Sequence, residues 1–572
     1  MLFKPLAMKA PYLGRIDLYW CQSCNVPVLA KRCSACEKAT EKISITPPGD
    51  VRPAFAWDIE VINQAAEEGF GVPLITDERI VLLNSVPGFD RFDEIIIDGA
   101  VAGALRFDVE KLHLEFMPRL EGAARIWAAG ASKGFVEVAR DAAKYILDGK
   151  SVLMPGVVDF DRSLQAGQEV IVTAGGRVIA VGKTRFSGEQ AASTDKGMFV
   201  KVRKRAGTGD NRIPAGGQGR EALLAANKGV IQSFESEAHA FIKKTIDTHD
   251  LPVVVSFSGG KDSLATLLLV RKIIEPKVLF IDTGIEFPET LEYVEKIARE
   301  FDLDLITAEA GDRFWKGLEV FGMSGRDYRW CCKVSKLGPV AKIMAESYPE
   351  GFLNFIGQRR YESEIRAKSG RIWRNSWLPR QLCASPIQNW TALHIWLYIF
   401  REGADSNPLY EQGLERIGCW VCPASSLAET YSFRELHPEM WQRFEKALLS
   451  QGFSADEVRF GFWRWRSLPK GQKNLMEDLG VEPCDRRRRA GLAESDVTRV
   501  ENLASVLGGE VTDDISLRAG LCLGCGVCLA HCGHGAIEFR GGKVWVGEGC
   551  LGCGKCHVRC PIVKYLYDVV YN

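Results

Sequence analysis

Two cysteine runs near the end of the chain repeat one spacing, C-x2-C-x2-C-x3-C: Cys522, Cys525, Cys528, Cys532 and then Cys550, Cys553, Cys556, Cys560. The sequence holds eighteen cysteines in all. No apolar run reaches the roughly 18 residues that span a bilayer, and MLFKPLAMKAPYLGR lacks the apolar core and small-residue cleavage site of a signal peptide, so a cytoplasmic, non-membrane protein is expected. Cytosolic thiols stay reduced, so these spacings are read as metal ligation and not as disulfides.

The repeated run resembles the bacterial two-cluster ferredoxin pattern, in which the fourth cysteine of each run ligates the other cluster. That resemblance implies two [4Fe-4S] clusters, one on Cys522, Cys525, Cys528 and Cys560, the other on Cys550, Cys553, Cys556 and Cys532. Gly533 stands where the pattern has proline after the first run. At the other end, Cys21, Cys24, Cys33 and Cys36 form two CxxC knuckles. Each knuckle turns two thiolates to one point, and two knuckles complete a tetrahedral Zn2+ site that stands in for a core about 40 residues cannot supply.

With 572 residues the chain is several domains long, and 73 basic against 73 acidic side chains leave no net field for nucleic acid. We divide it into a zinc ribbon (15–42), a small α+β domain (50–150), a β-rich domain (151–206), a glycine-rich linker (207–220), a nucleotide domain (221–470), a linker or helical region (471–512) and the cluster segment (513–572). Val136 to Leu147 reads as helix-like within the second of these, as does Glu221 to Ile246 at the start of the nucleotide domain. EVIVTAGGRVIAVGKTRF and KGMFVKVRKR, with Gly156, Asp159, Gly167 and Val170, resemble a PUA domain, a small β-barrel of RNA-modifying enzymes. Its basic edge, Lys201, Arg203, Lys204 and Arg205, reads either as an RNA phosphate contact or as a solvated strand end. The same two readings apply to Arg486 to Arg489.

LPVVVSFSGGKDSLATLLLVRKI passes from a β-branched apolar run through a glycine turn into a helical pattern. This order puts Ser258, Gly259, Gly260, Lys261, Asp262 and Ser263 between a buried parallel strand and a helix N-terminus, where free N–H groups attract phosphate. The Walker A spacing is absent. SFSGGKDS instead matches the PP-loop of the adenine-nucleotide α-hydrolases. A doubly wound parallel sheet follows, with ligand at its C-terminal edge.

Further motifs narrow the resemblance. DTGIEFPET, with Asp282 and Thr283 at a strand end, IGQRRYESEIR, with Arg359, Arg360 and Arg366, and SPIQNWTALHIWLYI are similar to the PAPS reductase family over about Pro252 to Pro423. The resemblance implies that the strand-end residues help hold the nucleotide and that the arginines bind its phosphate or sulfate groups. Lys261, Asp262, Arg359 and Arg360 are the expected catalytic residues. Cys331 and Cys332, with the distant pair Cys419 and Cys422, resemble the ligand set of the cluster-binding sulfonucleotide reductases, zinc being the alternative.

The fold expected is therefore multidomain α/β: the PP-loop sheet with a zinc ribbon, a PUA-like barrel and a ferredoxin-like two-cluster domain. The function expected is reduction of an adenylyl sulfate (PAPS or APS) with electrons from a donor passed through the ferredoxin domain. Two alternatives accompany it: ATP-dependent RNA (tRNA) thiolation, and a non-catalytic electron-transfer or RNA-binding adaptor. Against reduction stands the lack of an ECGxH-type nucleophile motif, since neither Cys383 nor Cys484 has it. Against thiolation, four cysteine ligands close the iron that would carry sulfur.

Overall fold

The computed structural model describes residues 16–207, 218–483, 503–505 and 518–570, with side chains through Tyr565. Cys484, Arg486 to Arg489 and much of both expected linkers lie outside the described residues. Among the described residues no helix is long and apolar enough to cross a membrane.

The N-terminal cysteines sit on a three-stranded sheet ordered Val26–Val28, Tyr19–Cys21, Glu41–Lys42. A ribbon this small buries little by itself and leans on the long helix Arg220–His249. Asn227 of that helix donates to Pro27 O and accepts from Leu29 N, both at 2.9 Å.

Residues 52–118 form a five-stranded antiparallel meander covered by the helices Ala56–Phe70 and Leu120–Ala128. The next, six-stranded sheet begins earlier than Ser151, where the sequence reading starts it. Phe135–Val138 is one of its strands, pairing antiparallel with Val157–Phe160 and parallel with Glu169–Ala174. The helix-like stretch from Val136 is thus a strand first, and helix only over Arg140–Leu147. Alternate burial of Val136 and Val138 satisfies a strand, and this period competes with a helical one over so few residues.

The nucleotide domain has a six-stranded sheet ordered Leu305–Glu309, Lys277–Asp282, Val253–Ser256, Phe352–Ile356, Leu378–Ala384, Ile372–Asn375. Five strands run parallel and the last is an antiparallel edge. The chain enters at a central strand, winds outward to one side, then crosses to the other. The switch point lies between Val253–Ser256 and Phe352–Ile356, where such sheets open a crevice at their carboxyl ends.

Polar contacts bury the joint between the N-terminal half and this domain. Arg52 pairs with Asp58 at 2.6 Å and with Glu415 at 3.1 Å, and Arg91 with Asp58 at 3.0 Å. Asp90 accepts from Leu427 N and Ala428 N at the start of the helix Leu427–Leu436. The C-terminal cysteine segment folds against the helix Gly338–Ser347 so closely that a Cβ on Gly338 would lie 2.4 Å from Cys525 O.

Candidate functional site

The PP-loop begins where Val253–Ser256 ends, and the helix Lys261–Arg271 begins at Gly260. Gly259 has φ +74°, and a Cβ there would stand 3.0 Å from Thr290 Cγ2, so both backbone and neighbours demand glycine. Ser263 Oγ accepts from Ser258 N at 3.1 Å and donates to Gly260 O at 2.8 Å, which closes the loop on itself. Lys261 N donates to the hydroxyl of buried Tyr410 at 2.8 Å.

A chain of alternating charges runs beneath the loop. Lys261 Nζ bonds Asp262 Oδ2 at 2.8 Å, Arg359 Nε donates to Asp262 Oδ1 at 2.6 Å, and Arg359 Nη1 donates to Asp50 Oδ2 at 2.8 Å. Burial alone would raise the Asp262 pKa, but Arg359 and Lys261 outweigh it and hold this carboxyl well below the usual carboxylate range. Gly357 makes the close approach feasible, since a Cβ there would meet Asp262 C and O at 2.5 Å.

The arginines differ from expectation. Arg359 is only 4% exposed, and its N–H groups serve two carboxylates instead of facing open space. A guanidinium offered two carboxylates at hydrogen-bond distance takes both, and no phosphate is needed to satisfy it. Arg366 pairs with Glu362 one helical turn away. Arg360 is half-buried, and its Nε is enclosed without a hydrogen-bond partner.

The strand end joins the loop to the cysteines. Asp282 Oδ1 accepts from Gly284 N at 2.8 Å, and fully buried Thr283 donates to Glu286 Oε1 at 2.7 Å. Cys419 Sγ lies 3.5 Å from both Thr283 Oγ1 and Glu286 Oε1. Arg329 donates to Cys332 Sγ at 3.3 Å. Lys336, in the π-helical turn Cys332–Leu337, is held protonated chiefly by Cys419, with Glu286, Cys332 and Cys422 adding to it. Sequence reasoning missed Asp50 and Tyr410 because nothing in their local sequence marks them, whereas Glu286 within DTGIEFPET and Arg329, two residues before Cys331, had signals that went unused. Lys336 had a signal, a cation four residues after Cys332.

The cysteine groups fall into two geometries. Cys21, Cys24, Cys33 and Cys36 bring their sulfurs within 4.8 Å of one another, with Cys21–Cys36 at 3.4 Å and Cys24–Cys33 at 3.9 Å. Four thiolates about 2.3 Å from one tetrahedral zinc stand about 3.8 Å apart, so this set fits zinc. Among the described residues no other cysteines gather so tightly.

The C-terminal cysteines line two separate cavities. Cys522, Cys525, Cys528 and Cys560 line one with about 390 Å³ of empty space, and Cys532, Cys550, Cys553 and Cys556 line another of about 400 Å³, solvent at their mouths included. In each case the fourth cysteine of one run has crossed to the other group, and four sulfurs around a space larger than one ion suit a multinuclear metal group. The first cavity is also walled by Phe321 and Val334 of the nucleotide domain, and Val334 follows Cys332 by two residues. Cys383 is elsewhere: it sits in a central strand, 1% exposed, its thiol pushed up to about 12 by burial, so it is no free nucleophile.

Comparison with known proteins fits this geometry. Residues 252–425 match the phosphoadenosine phosphosulfate reductase domain and residues 134–205 the PUA domain. The uncharacterized protein MJ0066 of Methanocaldococcus jannaschii is 37% identical over 482 residues, 81% of this chain and 99% of that protein. An adenosine 5'-phosphosulfate reductase of Bacillus thuringiensis is 26% identical over 183 residues, 30% of this chain and 72% of its own. A PAPS reductase from Candida auris, solved as a phosphate complex, is 18% identical, covers 34% of this chain with 96% of its own length, and has a TM-score of 0.27.

Proposed function

We propose, taking as premise that this chain belongs to one family with MJ0066 of Methanocaldococcus jannaschii, that it is an iron-sulfur PP-loop enzyme reducing an adenylyl sulfate with electrons passed through its C-terminal segment. The PAPS reductase domain gives the chain sulfonucleotide or related PP-loop nucleotide chemistry, and the reductases among its relatives favour the first. In the reaction the sulfuryl sulfur accepts an electron pair, its bond to the bridging phosphate oxygen breaks, and sulfite and the nucleotide monophosphate or bisphosphate leave. Two equivalents of a reduced one-electron carrier protein would supply the pair.

The chain's own residues would bind and orient the substrate. Ser258 Oγ and the N–H groups of Gly259 and Gly260 would receive phosphate at the helix N-terminus, and the half-buried Arg360 guanidinium would meet the anionic end. Asp262 and Arg359 hold Lys261 in place and act on the reaction through it. Thr283 joins nucleotide and cysteine sites. Iron-sulfur clusters, when bound by Cys331, Cys332, Cys419 and Cys422 and by the two C-terminal groups, supply single-electron transfer; the N-terminal four hold zinc.

One observation carries the reading: the inner C-terminal cavity, the one lined by Cys522, Cys525, Cys528 and Cys560, shares a wall with the segment that bears Cys331 and Cys332, so a metal group held there would lie against the nucleotide domain. The PUA match and the exposed Lys201, Lys204 and Arg205 support RNA contact as a second property. Anaerobic protein given a low-potential reductant is expected to release sulfite from PAPS or APS without RNA. Pyrophosphate release from ATP that depends on RNA, with no sulfite, would overturn the reduction reading in favour of thiolation.

A further inference from the structure

Arg518 is 2% exposed and precedes the first C-terminal cysteine by four residues. It stands between the two cysteine cavities. Its side chain helps line the inner one, formed by Cys522, Cys525, Cys528 and Cys560. Its Nη2 donates to Sγ of Cys556, a wall of the outer one, at 3.5 Å. Its Nη1 lies 3.3 Å from His557 Nδ1. Among the described residues no carboxylate bonds it, and the groups it meets are His557 and the cysteines.

A buried cation without a carboxylate is unfavourable unless other negative charge surrounds it. Cysteine-ligated clusters provide that charge on both sides. Reduction adds one more negative charge to each, and a fixed guanidinium in a low-dielectric seam stabilises the more negative form. A hydrogen bond to a ligand sulfur acts in the same sense.

We propose that Arg518 is a shared electrostatic bridge that raises the reduction potentials of both C-terminal clusters together. The inference rests on the cluster reading above, and its charge argument can fail independently of that reading.

The test is a potentiometric titration, monitored by electron paramagnetic resonance, of the full-length, iron-loaded protein as parent, Arg518→Gln and Arg518→Lys. Arg518→Gln removes the charge and keeps an N–H donor; both midpoints are expected to move to more negative potential. Arg518→Lys keeps the charge, and both midpoints are expected to stay near the parent values. A shift in Arg518→Lys as large as in Arg518→Gln, or a shift confined to one cluster, overturns the proposal. Should Arg518→Gln fail to fold, Arg518→Lys decides alone, since a large negative shift with the charge retained also overturns it. Parent protein that holds no iron removes the cluster reading itself, whereas loaded protein whose midpoints ignore the charge removes only the role of Arg518.

Discussion

Asp50 accepts a hydrogen bond from Arg359 at 2.8 Å across 309 residues of sequence, and its other oxygen accepts from Ala392 N at 2.6 Å. A carboxylate from the N-terminal part of the chain thereby completes the charge chain under the PP-loop. Asp50→Ala leaves the buried guanidinium of Arg359 short of one partner, and losing half of a buried pair costs about 3–5 kcal/mol. The expected result is a lower denaturant midpoint together with weaker binding of adenylyl sulfate by calorimetry, with Asp50→Asn between the two.

Gly357→Ala is expected to act on the loop from the opposite side. The added methyl meets only backbone, Asp262 C and O at 2.5 Å and Ser263 N at 2.6 Å, and backbone cannot rotate away. A cost of about 1–3 kcal/mol should appear in thermal unfolding. Nucleotide affinity should fall with it, because the contact lies at the first turn of the helix that follows the PP-loop.

Acid should loosen the joint between the N-terminal half and the nucleotide domain. Burial would raise the Asp58 pKa, but Arg52 and Arg91 outweigh it and lower it from 3.8 to about 2. A depressed folded pKa gives stability that is complete above the unfolded value, near pH 4, and lost as pH falls through about 2. The shift corresponds to about 2 kcal/mol. Asp58→Asn should unfold more easily at pH 7 and show less of this acid-dependent loss, measured by denaturation between pH 7 and pH 2.

The crossed cysteine sets predict which cluster each ligand controls. Cys560→Ser should remove about four irons per chain and the signal of the inner cluster, although Cys560 belongs to the second run. Cys532→Ser should do the same to the outer cluster. Iron analysis with electron paramagnetic resonance of anaerobic protein checks both. Zinc, about one per chain, should be unaffected in either variant and lost in Cys21→Ser.

Much of this site was legible in the chain itself. A β-branched run, a glycine turn and a helical pattern place Ser258 to Ser263 because the groups that form such a loop are adjacent in sequence. The CxxC spacing of Cys21 to Cys36 brings sulfurs together through turns only a few residues long. Arg359 was visible as a charged residue after a strand, but its partners were not. Asp50 reaches it only because the N-terminal half packs on the nucleotide domain, and with both carboxylates in reach it serves the loop from beneath. The strand Phe135–Val138 was hidden for the same reason, since both of its pairing partners lie later in the chain.

Local order alone therefore determined the strand–loop–helix turn at Ser258 to Ser263 and the convergence of the four N-terminal sulfurs, because short-range turns and periodicities fix where neighbouring groups point. Tertiary packing decided what surrounds them: the carboxylates that occupy Arg359, the wall shared between Val334 and the inner cavity, and the seam that buries Arg518. Those relations join groups far apart along the chain, and their energies come from burial and charge pairing that exist only once separate domains have closed on one another.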